Sequence, residues 1–208
     1  MSAPSALKPL ARRLRDAGIF YYRKVTIYSC DLGKEVPFTS PPEIQVSIAR
    51  DEDIAELTSG ERHVLREEWL QRLSEGHVCF VARWNGVLAG YQWQSSTPVP
   101  IKEVRISFDP SKITQASWVY NGHTFPEFRR RGVLNALFAY QRKWSRDRGI
   151  KTWYAAVAKD NAISDAATRK GGFDTVVASI RYMTIFGVES KKVKILDGAG
   201  RPIVDAIG

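Results

Sequence analysis

An amphipathic helix followed at once by an apolar strand is the feature that most restricts how this chain folds. Four apolar residues, spaced by four, three and four positions, fall on one face of a helix from about residue 130 to 147: Val133, Leu137, Tyr140 and Trp144. Gly149 is suited to end that helix. Ile150–Ala158 then follows as a near-continuous apolar run, typical of an interior strand. This combination predicts a mixed α/β domain.

The other patterns also alternate between strand and helix. Strands are predicted at Ile19–Cys30, Ile44–Ala49, Val78–Arg83, Val87–Gln94, Lys102–Phe108, Ser117–Phe125 and Phe173–Phe186. Further helices are predicted at residues 5–18, Asp51–Leu57, Glu61–Leu73 and Ala162–Lys170. Asn85-Gly86 is a favoured tight-turn pair, and the run Asp197-Gly198-Ala199-Gly200 predicts a final hairpin between Lys191–Leu196 and Pro202–Ala206.

Composition divides the chain near residue 43. Between Asp31 and Glu43 the chain is rich in Gly, Pro and Ser, and three prolines, Pro37, Pro41 and Pro42, exclude a regular element there. We therefore predict a basic N-terminal arm over residues 1–43, made of a helix and a strand that pack on a domain over residues 44–208.

The positive charge is concentrated in two zones. The chain has 31 Lys and Arg against 22 Asp and Glu, a net charge of +9. Residues 1–25 carry a net +5 and residues 129–151 a net +7, which leaves the rest mildly acidic. Such zones attract nucleotide phosphates, nucleic acid or acidic lipid surfaces, and charge alone does not choose among them.

Cysteine and histidine spacing gives no sign of a metal site. Cys30 and Cys79 are interpreted as free thiols of a reducing compartment, and His63 and His77 as structural residues, so we expect no metal. No window approaches the roughly 20 apolar residues of a membrane span, and the N-terminus has no signal-peptide stretch. We expect a cytoplasmic protein.

The stretch FRRRGVLNAL, from Phe128 to Leu137, predicts an anion site. The first amides of a helix have no internal partner, and the helix dipole makes that end positive. A glycine lets an anion approach the backbone, so amides near Arg130–Asn135 are placed to hold a diphosphate. The alternative is that three arginines only solvate an exposed helix start.

The stretch FPEFRRRGVLNALFAYQRKWSRDRGIKTWYAAVAKDNAISDAATRKGGF resembles the acyl-CoA-binding half of the GNAT superfamily of N-acyltransferases. The family pattern is Val-x-Pro-x-x-Arg, then Arg or Gln-x-x-Gly-x-Gly or Ala, and later an Asn and a Gly-Phe pair. The matching positions here are Phe125, Pro126, Arg129, Gly132, Asn161 and Gly172-Phe173. Upstream, IARDEDIAEL looks like the first strand and helix of the family.

The resemblance implies a central, largely antiparallel mixed sheet with splayed central strands flanked by helices. It implies acetyl-CoA, or another acyl-CoA, as donor and direct attack by an amine in a ternary complex. The pantetheine would lie between Ser117–Phe125 and Thr152–Ala158. The cofactor-binding residues it implies are Thr124, Phe125, Arg129, Arg130, Arg131, Gly132, Val133, Leu134, Asn135, Asn161, Ser164 and Thr168.

Two positions depart from the family pattern. Leu134 stands where the loop has its second small residue, so the phosphate sits differently or meets main-chain amides alone. Thr168 stands where the family commonly has a tyrosine that protonates the departing thiolate, and a threonine hydroxyl is far less acidic. Thr168 is therefore only a weak candidate for the catalytic acid.

The catalytic base is predicted on the strand before the cofactor loop. His123 has an unperturbed pKa of about 6.5, suited to accept the amine proton, although a structural strand histidine is an equal alternative. Gly122 suggests a bulge that changes which way its neighbours face. Tyr120 is the second candidate, with Asn121 and Glu127 as weaker ones. A backbone amide near Thr124 or Phe125 is predicted to hold the oxyanion.

Two other functions remain open. The charge and the six Trp and eight Tyr suit a nucleic-acid-binding protein, although most aromatics fall within predicted elements. A non-catalytic CoA-binding scaffold is the third reading, favoured by Thr168. The amine acceptor, small molecule or peptide, is expected at the upstream helices. Contact of the basic arm with a membrane surface and a homodimer are left open, and nucleic acid is not the expected partner.

Overall fold

The computed structural model describes residues 19–38, 40–59, 66–196, 203 and 205–207. The strands there are β1 (Phe20–Asp31), β2 (Ile44–Ile48), β3 (Val78–Trp84), β4 (Val87–Ser95), β5 (Val99–Ile101), β6 (Ile106–Phe108), β7 (Ala116–Thr124), β8 (Thr152–Ala158), β9 (Thr175–Ile185) and β10 (Val188–Ile195). The helices are α1 (Asp51–Thr58), α2 (Arg66–Ser74), α3 (Val133–Arg146) and α4 (Ala162–Lys170). The predicted helix over residues 5–18 and the first part of Glu61–Leu73 lie outside the described residues.

Eight strands form one sheet in the order β10-β9-β1-β8-β7-β4-β3-β2, and β5 pairs with β6 in a separate small sheet. Every neighbouring pair of the large sheet is antiparallel except β7 with β8. The prediction of a mixed α/β fold with a largely antiparallel sheet is confirmed.

The parallel pair in the middle of the sheet is short. Residues 116–118 of β7 pair with residues 152–154 of β8, and the pairing ends at Trp118 and Tyr154. Beyond that point β7 pairs only with β4, and β8 pairs only with β1. The two strands therefore part at their C-terminal ends, as the predicted splayed central strands require. We call the gap between Val119–Thr124 and Ala155–Ala158 the split.

Strand β1 is an interior strand, although it comes from the segment assigned to the N-terminal arm. It pairs antiparallel with β8 over Val25–Asp31 and with β9 over Phe20–Ser29. The segment thus contributes backbone hydrogen bonds to the centre of the sheet. The domain division at residue 43 stays a prediction.

Both faces of the sheet are covered around β8. Trp153 packs on Phe138 of α3, with ring centroids 6.3 Å apart, while the next residue, Tyr154, packs on Phe108 of β6 at 5.3 Å. Successive strand residues point to opposite faces, so both faces of β8 are buried. This explains its near-continuous apolar sequence.

Helices α1 and α2 close the other end of the sheet, over β3 and β4. Trp69 of α2 is fully buried and meets Trp93 and Tyr91 of β4 edge to face, at centroid distances of 5.0 and 4.9 Å. Both cysteines are free, as predicted, and both are buried. Within the described residues, every helix is too short or too polar to cross a membrane.

Two sequence predictions about strands are corrected. The predicted strand Lys102–Phe108 is broken by a 3₁₀ turn at Lys102–Val104 and by left-handed Arg105 (φ 47°), so that only Ile106–Phe108 is extended. The predicted terminal hairpin of Lys191–Leu196 with Pro202–Ala206 is wrong, because β10 pairs with β9 through a turn at Phe186-Gly187 and the described residues 203, 205 and 206 are helical. The sequence concealed that turn because phenylalanine is not a turn-forming residue.

Candidate functional site

The segment between β7 and α3 has an irregular backbone, and from Arg130 onwards its amides have no partner in the described part of the chain. After a 3₁₀ turn at Pro126–Phe128, Arg130 (φ 64°) and Gly132 (φ 84°) adopt left-handed conformations. The first helical hydrogen bond runs from the amide of Ala136 to the carbonyl of Gly132, at 3.0 Å. The six preceding amides, from Arg130 to Asn135, donate to no residue that the structure describes. Six adjacent donors at a positive helix end form an anion site.

Gly90 of β4 allows this segment to lie close to the sheet. A Cβ atom at Gly90 would be 2.6 Å from the carbonyl oxygen of His123 and 3.1 Å from Cγ1 of Val133. Distances this short leave no room for a side chain. Gly90, which the sequence analysis overlooked, therefore fixes the start of α3 beside the end of β7.

Two of the three consecutive arginines make contacts with the protein. The Nε of Arg129 donates to the carbonyl of Thr124 at 3.3 Å, and the guanidinium of Arg131 lies over the ring of Trp84 at 5.5 Å. All three arginines are exposed. Leu134 is half-buried and packs on the core cluster that contains Phe138 and Trp153. It holds α3 on the sheet and leaves the backbone as the anion-binding group.

The predicted bulge in β7 is present. The β4–β7 register shifts between Tyr91 and Trp93, and Asn121 is left-handed with φ 47°. The bulge comprises Asn121 and Gly122, opposite Gln92. The bulge places the side chains of Tyr120 and His123 on the same face of the sheet, because they pair with Trp93 and Tyr91. Simple alternation would have placed them on opposite faces.

The amide of Thr124 faces the split. The amide of Phe125 donates to the carbonyl of Ala89 at 3.0 Å. Hydrogen-bonded and non-hydrogen-bonded pairs alternate along antiparallel strands, so Thr124, which pairs with Gly90, directs its backbone groups away from β4. Of the two amides predicted to hold an oxyanion, that of Phe125 is used by the sheet and that of Thr124 points towards β8.

Helix α4 brings the remaining predicted cofactor residues to the same face of the sheet. Asn161 is its N-cap, and its Oδ1 accepts from the amide of Ser164 at 3.0 Å. Ser164 and Thr168 are half-buried and one turn apart. A phenol also reaches this helix: buried Tyr28 of β1 donates to Oδ1 of Asp165 at 2.5 Å.

A cavity of about 1010 Å³ lies on the opposite face, between α2, the β5 segment and β7. Its walls include Tyr120 and Ala156, each two residues beyond the last residue of the parallel pair, Trp118 and Tyr154. These two residues therefore flank the point at which β7 and β8 separate. The cavity opens directly onto the split.

The cavity is net acidic within a basic protein. The charged residues of its wall are three glutamates and two basic residues: Glu68, Glu75, Glu103, Arg72 and Lys102. Glu68 accepts from the Nζ of Lys102 and from Nη2 of Arg72, both at 2.7 Å, and these hydrogen bonds, led by that of Lys102, lower the pKa of Glu68. The remaining negative charge favours a cationic guest.

A histidine and a tyrosine are hydrogen-bonded at the wall of the cavity. Nδ1 of His77 is 2.6 Å from the hydroxyl of Tyr120, and Nε2 of His77 is 3.8 Å from Oε2 of Glu75. His77 is only 4% exposed. Burial lowers the pKa of His77 and raises that of Tyr120, so both are neutral at pH 7. Donation by the Tyr120 hydroxyl to Nδ1 leaves the ring proton on Nε2, directed at Glu75.

The predicted base His123 packs against Tyr91, another residue of the cavity wall. Its half-buried ring stacks on Tyr91, with centroids 5.8 Å apart and planes 28° apart, and meets Phe125 edge to face at 5.3 Å. Tyr91 itself lines the cavity. The structure therefore places Tyr120 on the cavity wall and His123 next to a wall residue, while Thr168 is on the opposite face. His77, read from the sequence as structural, is the polar partner that sequence analysis missed.

The described part of the chain contains no cluster of side chains that could bind a metal ion. There, no three His, Cys, Asp or Glu side chains come together in a way that would hold a metal ion. His63 lies outside the described residues.

A split pair of central strands, a helix start rich in free amides and a cavity at the split define a protein of the GNAT fold. A family model described as the acetyltransferase (GNAT) family matches residues 46–173, more than half of the chain. The chain belongs to this family. A comparison with curated proteins gives no match.

Solved structures share the fold at low sequence identity. A conserved protein of unknown function from Staphylococcus epidermidis is 11% identical, with a TM-score of 0.54, and the match covers 88% of this chain and 67% of that one. A GCN5-related N-acetyltransferase from Sphaerobacter thermophilus is 16% identical, with a TM-score of 0.54, covering 88% and 56%. The ribosomal-protein-S18-alanine N-acetyltransferase from Escherichia coli is 15% identical, with a TM-score of 0.51, covering 70% and 95%. The chain thus spans little more than half of the Sphaerobacter protein.

Proposed function

We propose that the protein is an acyl-CoA-dependent N-acyltransferase that moves an acetyl group from acetyl-CoA to a primary amine by direct attack. The observation that carries this proposal is the run of six amides, Arg130–Asn135, that donate to no described residue and lie at the end of the split. A helix start of this kind binds phosphate through its backbone. Membership in the GNAT family supports the same assignment.

The residues around the split suit the donor. The amides and the exposed side chains of Arg129, Arg130 and Arg131 would hold the diphosphate, with Gly132 keeping the backbone accessible. Val133, Leu134 and Asn135 supply the following amides. Asn161, Ser164 and Thr168 of α4 would line the other side of the pantetheine. Because the cavity meets the split at Tyr120 and Ala156, donor and acceptor would approach from opposite faces of the sheet.

Tyr120 and His77 are placed to remove the amine proton. The bound ammonium first loses one proton to solvent. In the proposed step the lone pair of the resulting neutral amine forms a bond to the thioester carbonyl carbon, the carbonyl π electrons move to the oxygen, and an N–H proton passes to the Tyr120 oxygen. The Tyr120 hydroxyl proton passes in turn to Nδ1 of His77, 2.6 Å away. The imidazolium that results is stabilised by Glu75 near Nε2. A base oriented by a third group is a recurrent arrangement for activating a nucleophile.

The oxyanion and the leaving group meet separate partners. The amide of Thr124, which faces the split, would donate to the carbonyl oxygen as it becomes negative. Collapse of the tetrahedral adduct then breaks the carbon–sulfur bond. A thiol has an unperturbed pKa of about 8.5, so the departing thiolate needs only a weak donor, and we assign that contact to Thr168. His123 remains the alternative base, tested below against His77.

The acceptor is proposed to carry its cationic amine on a partly apolar body. Aromatic residues line the cavity beside the acidic ones, including Trp69, Trp118 and Tyr120. A negative site lined with aromatic faces binds organic ammonium groups well. These features predict the charge and polarity of the acceptor, but they do not identify the molecule.

A two-stage assay tests this function. Titration calorimetry with CoA should show binding that falls at least tenfold in Arg130→Gln and changes little in Arg148→Gln, an arginine at the other end of α3. Thiol release from acetyl-CoA and longer acyl-CoAs is then measured against a library of amines. No CoA binding would reject the proposal, while binding without turnover on any amine would leave the scaffold reading.

The nucleic-acid reading makes the opposite prediction. It requires affinity for RNA or DNA that falls steeply with salt, together with no affinity for CoA. Most aromatic residues of the described chain are in the core clusters rather than on an open platform, which disfavours base stacking. A salt titration of RNA and DNA binding, set beside the CoA titration, decides between the nucleic-acid-binding and acyltransferase functions.

A further inference from the structure

Three basic residues lie side by side on the face of the sheet opposite to the cavity, since the wall residue Ala156 pairs with Ile27, three residues from Lys24. Lys24 of β1 pairs with Arg181 of β9, and Arg181 pairs with Lys192 of β10. Residues in direct cross-strand register point to the same face, with Cβ atoms about 5 Å apart. We call Lys24, Arg181 and Lys192 the cation row. Like charges in this arrangement repel one another, so the fold itself gains nothing from it.

The strand residues that share a face with the cation row include no acid. The three strands present twelve residues there: Phe20, Tyr22, Lys24, Thr26, Ser179, Arg181, Met183, Ile185, Val188, Ser190, Lys192 and Lys194. Among the described residues, none of the cation row forms an ion pair. Glu189 lies on the opposite face, bonded to Arg105 and Tyr182.

Protection of the sheet edge accounts for only part of this charge. Lysines commonly guard exposed edge strands from pairing with other chains, and Lys192 and Lys194 stand on the edge strand β10. Lys24 and Arg181 stand on β1 and β9, which are paired on both sides. Their alignment with Lys192 therefore needs another reason.

Apolar side chains continue the same face towards the β9–β10 turn. Tyr22, Ile185 and Val188 are 46%, 41% and 72% exposed, and Phe186 at the tip is 79% exposed. We call these four residues the apolar end. Val188 is four residues from Lys192 along β10, a distance of about 13 Å. One surface thus has a hydrophobic tip and a positive band behind it.

Phe186 has a left-handed backbone conformation, which is energetically unfavourable for a bulky residue. Phe186 and Gly187 have φ values of 47° and 79°, and Asn85 and Gly86, the other two-residue turn, have 47° and 83°. Such turns require positive φ at both positions and favour Asn-Gly. A phenylalanine that is 79% exposed buries little apolar area in the fold, and strain at an exposed position suggests a role in an interaction.

We propose that this surface docks on an anionic lipid bilayer. The apolar end would enter the interface, where amphipathic segments insert by about 5–10 Å. The cation row would then lie within the Debye length of about 8 Å from acidic headgroups. The order of apolar tip and positive band matches the order of hydrocarbon and headgroup, and the absence of acids among these strand residues makes the surface complementary to acidic headgroups.

Vesicle sedimentation with the full chain tests the proposal. The vesicles contain phosphatidylcholine alone or with 30% phosphatidylserine, at about 0.1 M salt. Wild type should bind the anionic vesicles, and the triple variant Lys24→Gln, Arg181→Gln, Lys192→Gln should bind about 100-fold less, because each basic residue near such a surface is worth about 1 kcal/mol. The matched control Lys112→Gln, Lys143→Gln, Arg148→Gln removes the same charge elsewhere and should lose less than about threefold.

Phe186→Asn separates docking from net charge. The substitution places the favoured turn residue at the strained position, so the variant should fold at least as well as wild type in thermal unfolding. Its binding to the anionic vesicles should fall about tenfold. The proposal is overturned by equal binding to both vesicle types, by equal losses in the two triple variants, by unchanged binding of Phe186→Asn, or by a preference for single-stranded RNA over vesicles that the cation-row triple abolishes.

Discussion

The cavity at the split and the surface formed by β1, β9 and β10 belong to one sheet but treat polar residues differently. At the cavity, polar side chains are hydrogen-bonded to one another: Tyr120 is bonded to His77, and Glu68 to Arg72 and Lys102. On the outer strands, the cation row has no acidic partner among the described residues. Unpaired charge persists only where solvent or a binding partner compensates for it. The hydrogen bonds at the cavity hold side chains in a fixed geometry, as the proposed catalysis requires, and the unpaired charges of the outer surface suit the proposed contact with a membrane.

The largest effect is expected at the cavity, where His77→Gln should lower the turnover rate. Removal of the proton acceptor should lower kcat about 100-fold with little change in KM, since general-base assistance typically contributes a factor of about 10² to 10⁴. Tyr120→Phe should give a similar loss, and the double variant should be no worse than either single one.

The same kinetic series tests His123. If His77 is the base, His123→Gln should keep more than about a third of the activity, and the acid limb of the pH–rate profile should vanish only in His77→Gln. Loss of that limb in His123→Gln, with His77→Gln near wild type, would restore the sequence-based assignment. CoA titration of each variant separates a catalytic loss from damage to the donor site.

Gly90→Ala should give the next largest effect, on stability. The added Cβ would meet the backbone oxygen of His123 at 2.6 Å, and overpacking of this kind costs about 1–3 kcal/mol. Gly122→Ala, on the neighbouring strand, is the control, because its Cβ would meet only the flexible side chain of Gln92 at 3.1 Å. Urea unfolding measures both. Equal midpoints would show that the sheet relaxes at Gly90.

Exchanging residues between the two tight turns should change the free energy of unfolding by a smaller amount, with opposite signs in the two variants. Phe186→Asn should raise the free energy of unfolding by about 1 kcal/mol, and Asn85→Phe should lower it by about as much, since a left-handed bulky residue costs about 1–3 kcal/mol. Both turns share nearly the same φ angles, so each variant controls for the other. A destabilised Phe186→Asn would mean that Phe186 serves the fold after all.

The smallest effect is expected from pH. Burial lowers the pKa of His77 below its ordinary value, so the unfolded chain binds more protons than the folded one once the pH falls below about 6.5. The stabilisation that neutral, buried His77 contributes is complete above that pH. It is lost as the pH falls through the pKa of His77 in the folded protein. His77→Gln should flatten that part of the stability curve in urea titrations between pH 7 and 5. An unchanged slope would argue against a neutral, buried His77.

The sequence allowed much of the fold to be predicted through local patterns. The helix after Gly132, the strand at Thr152–Ala158, the Asn161 cap and the bulge beside Gly122 all depend on residues close together in the chain, and the structure has each of them. The cofactor residues remain a prediction supported by the free amides. A cytoplasmic location and a homodimer also stay predictions.

Other features escaped sequence reasoning because they depend on distant pairs. His77 and Tyr120 are 43 residues apart, and nothing local distinguishes His77 from a structural histidine. The position of β1 between β8 and β9 likewise depends on contacts with residues more than 120 positions away.

By itself, the amino-acid sequence determined most of the strands and helices and that a glycine-led helix start would expose its amides, because backbone preference and apolar periodicity act over a few residues. Only the tertiary structure decided that Tyr120 meets His77, that Gly90 seats the start of α3, and that Lys24, Arg181 and Lys192 stand in one row. The physical reason is strand register: it sets which distant side chains become neighbours, and it is fixed by the packing of the whole sheet.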